Sequence, residues 1–511
     1  MPVPSRPPRR PEPPGRAAML TGGDRLVRAL QTSLVTVRFR TDPRFCTEAL
    51  ESGSAEGVGL LVDAKRGIVL TDRHSAPQSL GAIEVTLAGC ATVDAEVFFI
   101  HPQHNIALLR CDPIAVEMLI KGKLPLKSAR FAKGKKACLR PGESVHFVGF
   151  DSQGNTFSDQ CKVSAVYLPS GKDEFPPWTV PRFRERNLEI VVLTDTPEDA
   201  RGGVLCDSRG EVRAIFASFD FQSARREETT ENFGIPANVF LPLLEAIKTS
   251  PDQQPEVRSL DVEVSAVDLA TLARGASKLP KPWVEAVRKR CGQQGQVARA
   301  ICACRVLSTG VSHGLLQPGD VLLSIAGRTI TQALDVEEAL RPKKERKPSK
   351  GKRKRQEDIP ICFLRDGKEA VVSVSPTILR SEDDTDLVIW AGLVLRRTPR
   401  CILERCGTSV APRAGGVFVQ SVLAGSPAES RELHPHCFLM EMDGQPIREL
   451  SDVLHRDQID RKQNRHAGWV RLLLLDMNGQ EHVKAIQRDT LFFPTFMLHR
   501  SAERWHCTQK S

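Results

Sequence analysis

The sequence predicts a mainly β protein: a long region of short strands forming a barrel or sandwich, followed by two smaller α+β units. Three observations predict it. Between Asp24 and Lys248, short β-branched runs alternate with turns, as in Ser33–Arg38, Gly57–Val62, Gly67–Thr71, Ile83–Leu87, Ala95–Ile100, Ser144–Gly149 and Leu188–Leu193. Many short strands with regular turns close into barrels or sandwiches. A phrase of turn, strand, Gly turn and short strand then occurs twice, at Leu315–Ile330 and His434–Ile447. Each copy precedes a helix-like segment (Ala333–Leu340; Glu449–His455) and two strands about an R-D-G-K or M-N-G-Q turn, which is an internal repeat. Finally, 36 Gly and 35 Pro spread over 511 residues favour turns over long helices.

In chain order, residues 1–24 are rich in Pro and Arg. They lack the apolar centre of a secretory signal; scarce acids leave a transit peptide as the alternative, but the Pro content favours a disordered arm. Residues 25–249 form the strand-rich domain, closed by an apolar helix at Val239–Ile247. Ser250–Val257 (SPDQQPEV) is a linker. The second unit spans 258–378, the third spans 385–490, and 491–511 reads as a C-terminal tail.

Inside the second unit, in an insertion at 341–358, Arg341–Gln356 reads RPKKERKPSKGKRKRQ, with ten basic residues against the single acid Glu345. It holds nearly all of the net charge of +10. Like charges at that density repel, so this is a disordered insertion. It reads either as a solvated loop or as a nuclear import signal made of Lys343, Lys344, Arg346 and Lys347 with Lys352, Arg353, Lys354 and Arg355. The remaining chain is nearly neutral, which argues against a duplex-binding surface. The insertion has no interleaved aromatics, so nucleic acid ranks last among partners. Fourteen Cys show no C-x-x-C pair, so no metal and no cofactor is expected. No apolar run approaches eighteen residues, so no transmembrane helix is expected.

Three phrases carry chemistry. GIVLTDRHSAP (Gly67–Pro77) ends a strand on His74. HPQHNIALLR (His101–Arg110) has Asn105 before an apolar run. TDTPEDARGGVLCDSRGEVRAI (Thr194–Ile215) has Arg201 before a Gly pair. These phrases resemble, in order and spacing, the His, Asp and Ser motifs of the HtrA/Deg serine proteases. The resemblance implies a chymotrypsin-like double β-barrel in which His74 keeps its triad position, Asn105 replaces the Asp and Arg201 replaces the Ser. A guanidinium cannot act as an acyl-transfer nucleophile. An Asn in the Asp place costs about 10⁴ in turnover in an intact triad. Glu198 and Asp199 stand where oxyanion donors are needed, and carboxylates there oppose a developing oxyanion. Ser75, Ser218 and Cys206 are the alternative nucleophiles, with Cys206 expected as a buried strand thiol.

The two later units resemble PDZ domains. LLQPGDVLLSIAGRTI matches the common PDZ phrase, with Gly319 and Gly327 at turn positions. The third unit keeps GVFVQSVLAGSPA but has Pro435 and His436 in place of the Gly–Asp pair. PDZ domains add a peptide strand to a sheet edge and hold its terminal carboxylate in a backbone loop. The resemblance places that loop at Leu272–Leu279 (Leu272, Ala273, Arg274, Gly275) and at Trp390–Val394 (Trp390, Ala391, Gly392, Leu393).

This order of domains is similar to the degenerate second half of double-length HtrA/Deg proteins, the nuclear pro-apoptotic serine proteases of fungi and their plant Deg-type relatives. A chain standing alone, one product of a split gene and a partial sequence all fit. The resemblance implies an inactive protease homologue binding peptide or protein C-termini as a scaffold, in the nucleus or else the cytoplasm. It also implies self-association or pairing with an active protease half. A serine endopeptidase with a non-standard site is the alternative.

Overall fold

The computed structural model describes residues 22–46, 53–169, 183–197, 199–222, 228–274, 279–294, 297–341, 358–381, 385–405, 410, 416–463, 468–501 and 504–510. The first 21 residues and the basic cluster at 342–357 lie outside the described residues.

The first barrel is built from β1 (Leu34–Arg40), β2 (Ser54–Asp63), β3 (Ile68–Thr71), β4 (Ala82–Leu87), β5 (Ala91–Ile100) and β6 (Ala107–Cys111), closed in the order β1-β2-β3-β6-β5-β4. The second comprises β7 (Ser144–Phe150), β8 (Thr156–Tyr167), β9 (Ile190–Leu193), β10 (Gly202–Cys206), β11 (Val212–Gln222) and β12 (Glu228–Pro236), closed as β10-β11-β12-β9-β8-β7. Period-two alternation builds each core. Val35, Val37 and Phe39 of β1 face Leu61, Val69, Val85 and Leu109 inside the first barrel. Phe147, Val163, Leu205 and Phe216 fill the second. The opposite faces pack the barrels together, with Leu60, Leu70 and Leu108 meeting Val148, Val204 and Ile215. Helix α1 (Gly22–Leu30) adds Leu26 and Leu30 to that layer, and α2 (Pro113–Lys121) flanks the first barrel. The expected closing helix is α3 (Ala237–Thr249), which buries Val239, Phe240, Leu243, Leu244 and Ile247.

The second unit contains β13 (Val257–Ser259), β14 (Val262–Asp268), α4 (Leu269–Arg274), α5 (Lys281–Gln294), β15 (Arg299–Val306), β16 (Val321–Ile325), β17 (Arg328–Thr329), α6 (Ala333–Leu340), β18 (Ile359–Arg365), β19 (Lys368–Val374) and β20 (Thr377–Leu379). Its sheet runs β14-β15-β16-β18-β19. Asp335 starts α6 by accepting the N–H groups of Thr331 and Gln332, the usual service of a carboxylate in the first turn.

The third unit contains β21 (Asp386–Trp390), β22 (Leu393–Arg397), α7 (Arg400–Arg405), β23 (Val417–Val422), β24 (Cys437–Met442), β25 (Gln445–Pro446), α8 (Leu450–Gln463), β26 (Trp469–Leu475), β27 (Glu481–Gln487), β28 (Thr495–Ser501) and β29 (Arg504–Lys510). Its sheet runs β27-β26-β24-β23-β22-β21-β28-β29. The stretch read as a tail therefore supplies two strands, because β28 pairs with β21 over Asp386–Ile389.

The repeat holds in the backbone. Gly319 (φ +98°) donates to the Ala303 carbonyl, and His436 (φ +68°) donates equivalently to Val419. His436, not Pro435, thus takes the glycine's place, and His is among the residues that tolerate the left-handed region. No helix among the described residues is long and apolar enough to cross a membrane.

Candidate functional site

The site lies where β2, β3, β10 and β11 bring the barrels together. His74 sits in the turn after β3 and is half-buried. Asp72 organises that turn. Its Oδ1 accepts the Ser75 N–H at 2.7 Å and its Oδ2 accepts the Ser218 N–H at 3.0 Å. Thr71 donates to the Val58 carbonyl at 3.0 Å.

Asn105 is 2 % exposed, and both ends of its amide are engaged in holding backbone. Oδ1 accepts the Arg73 N–H at 2.7 Å, and Nδ2 donates to the Ser218 carbonyl at 2.6 Å. It ties the two barrels together. An amide carries no negative charge to stabilise an imidazolium.

The loop holding Asn105 is fixed by His101, whose Nδ1 accepts the N–H groups of Gln103 (3.1 Å) and His104 (2.9 Å). Burial, with His104 and Arg73 beside it, lowers the affinity of His101 for a proton well below the usual value. Arg73 donates to the His101 carbonyl and covers the Phe183 ring at 3.4 Å.

At the position expected for the nucleophile, the Arg201 side chain reaches across to Glu56 of β2 at 3.3 Å. Its backbone N–H donates to the Phe150 carbonyl at 2.9 Å, extending the β7–β10 ladder by one residue. The N–H of the nucleophile residue is one of the two oxyanion donors in a working protease. Here it is spent on a strand. Asp199 beside it takes φ +60°, and the Ala200 carbonyl accepts from Asn232. Glu198 lies outside the described residues.

The substitute nucleophiles are placed elsewhere. Ser75 is buried against Gly57, so tightly that a Cβ on that glycine would lie 1.8 Å from the hydroxyl. The Ser218 hydroxyl donates to Asn232 at 2.9 Å. Cys206 is fully buried at the end of β10, and burial, with Asp207 adding to it, pushes its thiol up to about 12. It is no thiolate near neutrality.

The two loops expected to hold a terminal carboxylate are not open loops. Leu272, Ala273 and Arg274 belong to helix α4, and Leu272 packs toward Val287 and Leu323; Gly275 lies outside the described residues. L-A-T-L-A-R is a run of good helix formers. Trp390 and Leu393 are fully buried, joined by a tight turn at Ala391 (φ +49°) and Gly392 (φ +88°). The carbonyls of that turn accept from Ala428 and Leu423, and the Trp390 indole donates to Asp457 of α8. The basic cluster Lys343–Arg355 lies outside the described residues.

A family model described as a trypsin-like peptidase domain matches residues 57–215. The pro-apoptotic serine protease NMA111 of Yarrowia lipolytica is 26 % identical over 453 residues, covering 88 % of this chain and 42 % of the relative. Protease Do-like 7 of Arabidopsis thaliana is 24 % identical over 508 residues, covering 96 % and 44 %. The PDZ domain-containing protein C23G3.12c of Schizosaccharomyces pombe is 25 % identical over 466 residues, covering 89 % and 42 %. The chain spans less than half the length of these relatives. Among solved structures, the HtrA-type protease AlgW with decapeptide gives a TM-score of 0.41 at 17 % identity, covering 69 % of this chain and 98 % of that one. Matched over residues 57–215 by the trypsin-like peptidase model and nearly end to end by relatives of that type, the chain is similar to the HtrA/Deg proteases.

Proposed function

We propose that this chain is a catalytically inactive HtrA/Deg homologue that works as a protein-binding scaffold through its PDZ-like units. The observation that carries this is the state of residue 201. Its side chain is a permanent cation with no nucleophilic oxygen or sulfur, and its N–H is bonded to the Phe150 carbonyl. Nucleophile and oxyanion donor are lost at one position. Asn105, occupied as a bridge between backbones, supports the same reading.

The ligands we propose are peptide or protein C-termini, with self-association or an active protease half as further partners. The site of action we propose is the nucleus, with Lys343–Arg355 as import signal. Digestion of unfolded casein, alongside fluorophosphonate labelling, tests the catalytic half of the reading. Neither cleavage nor labelling is expected, from the native chain or from His74→Ala. Casein cleavage that His74→Ala abolishes would establish the endopeptidase alternative instead.

A further inference from the structure

Among the described residues, strand β14 is the edge of the second unit's sheet, paired with β15 alone. Such an edge, beside helix α6, can accept an added strand. In this chain the edge is already engaged. Asn187, from the second barrel, donates through Nδ2 to the Val262 carbonyl at 2.9 Å. Its Oδ1 accepts the Val264 N–H at 2.9 Å. One side-chain amide therefore presents the donor and acceptor that a residue of an added strand would present.

The apolar part of the groove is engaged too. Leu168, just beyond β8, is 6 % exposed and joins a cluster whose other buried members all belong to the second unit, among them Val262, Val264, Val336 and Leu340. Charged contacts surround it. Arg184 pairs with Glu263 and Arg299 with Glu189. His104 Nε2 lies 2.7 Å from Glu337 Oε1 on α6, at an angle short of a hydrogen bond. The fit is incomplete, because small cavities of about 20 Å³ and 10 Å³ both border Asn187.

We propose that this groove is latched by its own chain, with Leu168 as the apolar anchor and Asn187 as a surrogate strand, and that a ligand enters only by displacing them. The displacing ligand is an extended peptide carrying an apolar side chain, since it must replace one amide pair and one leucine. This rests on the scaffold reading above, and it adds that the native chain keeps the second unit closed.

Residue-resolved hydrogen exchange of the full chain tests it at the Val264 amide. Asn187→Ala, alone and with Leu168→Ser, is expected to speed Val264 exchange at least tenfold while Val35 and Val37 of β1 keep their protection. If Leu168→Ser loosens the barrel, the single variant decides. Unchanged Val264 exchange in a folded Asn187→Ala chain overturns the latch. A fluorescein-labelled peptide copying Lys162–Pro169 (KVSAVYLP) is the binding probe. It is expected to bind the double variant at least tenfold more tightly than the native chain, and measurable binding of equal strength to both also overturns the latch. Deprotected Val264 without peptide binding upholds the latch and counts against the scaffold reading.

Discussion

At Asn105, a nitrogen in place of one carboxylate oxygen reverses a hydrogen bond: Nδ2 donates to the Ser218 carbonyl at 2.6 Å. A carboxylate there would oppose oxygen to oxygen, in a buried place. Asn105→Asp is therefore expected to lower stability by about 1–3 kcal/mol, seen as a lower Tm. Combined with Arg201→Ser it is expected to leave casein uncut, because the residue 201 N–H stays bonded to Phe150. His101 gives a pH dependence. Its folded value is lowered by burial, with His104 and Arg73 beside it, so the unfolded chain binds more protons below about 6.5. That stability is present above 6.5 and drains as pH falls toward the lowered value. Glu189 acts oppositely. Burial raises it to about 7 against the pull of Arg299, so its contribution grows as pH falls from 7 toward its ordinary value. Tm measured from pH 7 to 5 is expected to fall less steeply in His101→Gln, and more steeply in Glu189→Gln, than in the native chain. That His74, Asn105 and Arg201 are the residues to look at was read from the phrases that flank them. The bond from Arg201 to Phe150 was not, because it depends on a strand fifty residues away.

Among the elements, the strands were legible wherever β-branched runs stood between turns, and Val321–Ile325 and Ala333–Leu340 lie where the repeat places them. The carboxylate loops were not. One is helix α4, by local propensity, and the other is a tight turn sealed by partners some thirty residues on. The C-terminal hairpin was hidden because its pairing partner, β21, lies over a hundred residues earlier. The sealed turn gives a sharp test. Gly392 has φ +88°, and a Cβ on it would come within 2.0 Å of the Ser426 Cβ. Gly392→Ala is expected to cost roughly 1–3 kcal/mol or more, read from urea unfolding of the native and substituted chains.

Across the whole molecule, contacts join regions far apart in sequence. Gln103 donates to Ser259, joining the first barrel to the second unit. The third unit's sheet also reaches the first barrel. Gln420 donates to the Cys46 carbonyl at 2.7 Å, Arg500 to the Val97 carbonyl, and the Trp505 indole to the Ser79 hydroxyl at 3.1 Å. The last of these spans 426 positions. Ribosomes add about 5–20 residues per second, so roughly 20–80 seconds separate the synthesis of Ser79 from that of Trp505. Through that interval the nascent first barrel waits with its docking face uncovered, so those polar groups are hydrated until the last strand is made and must shed that water when it docks.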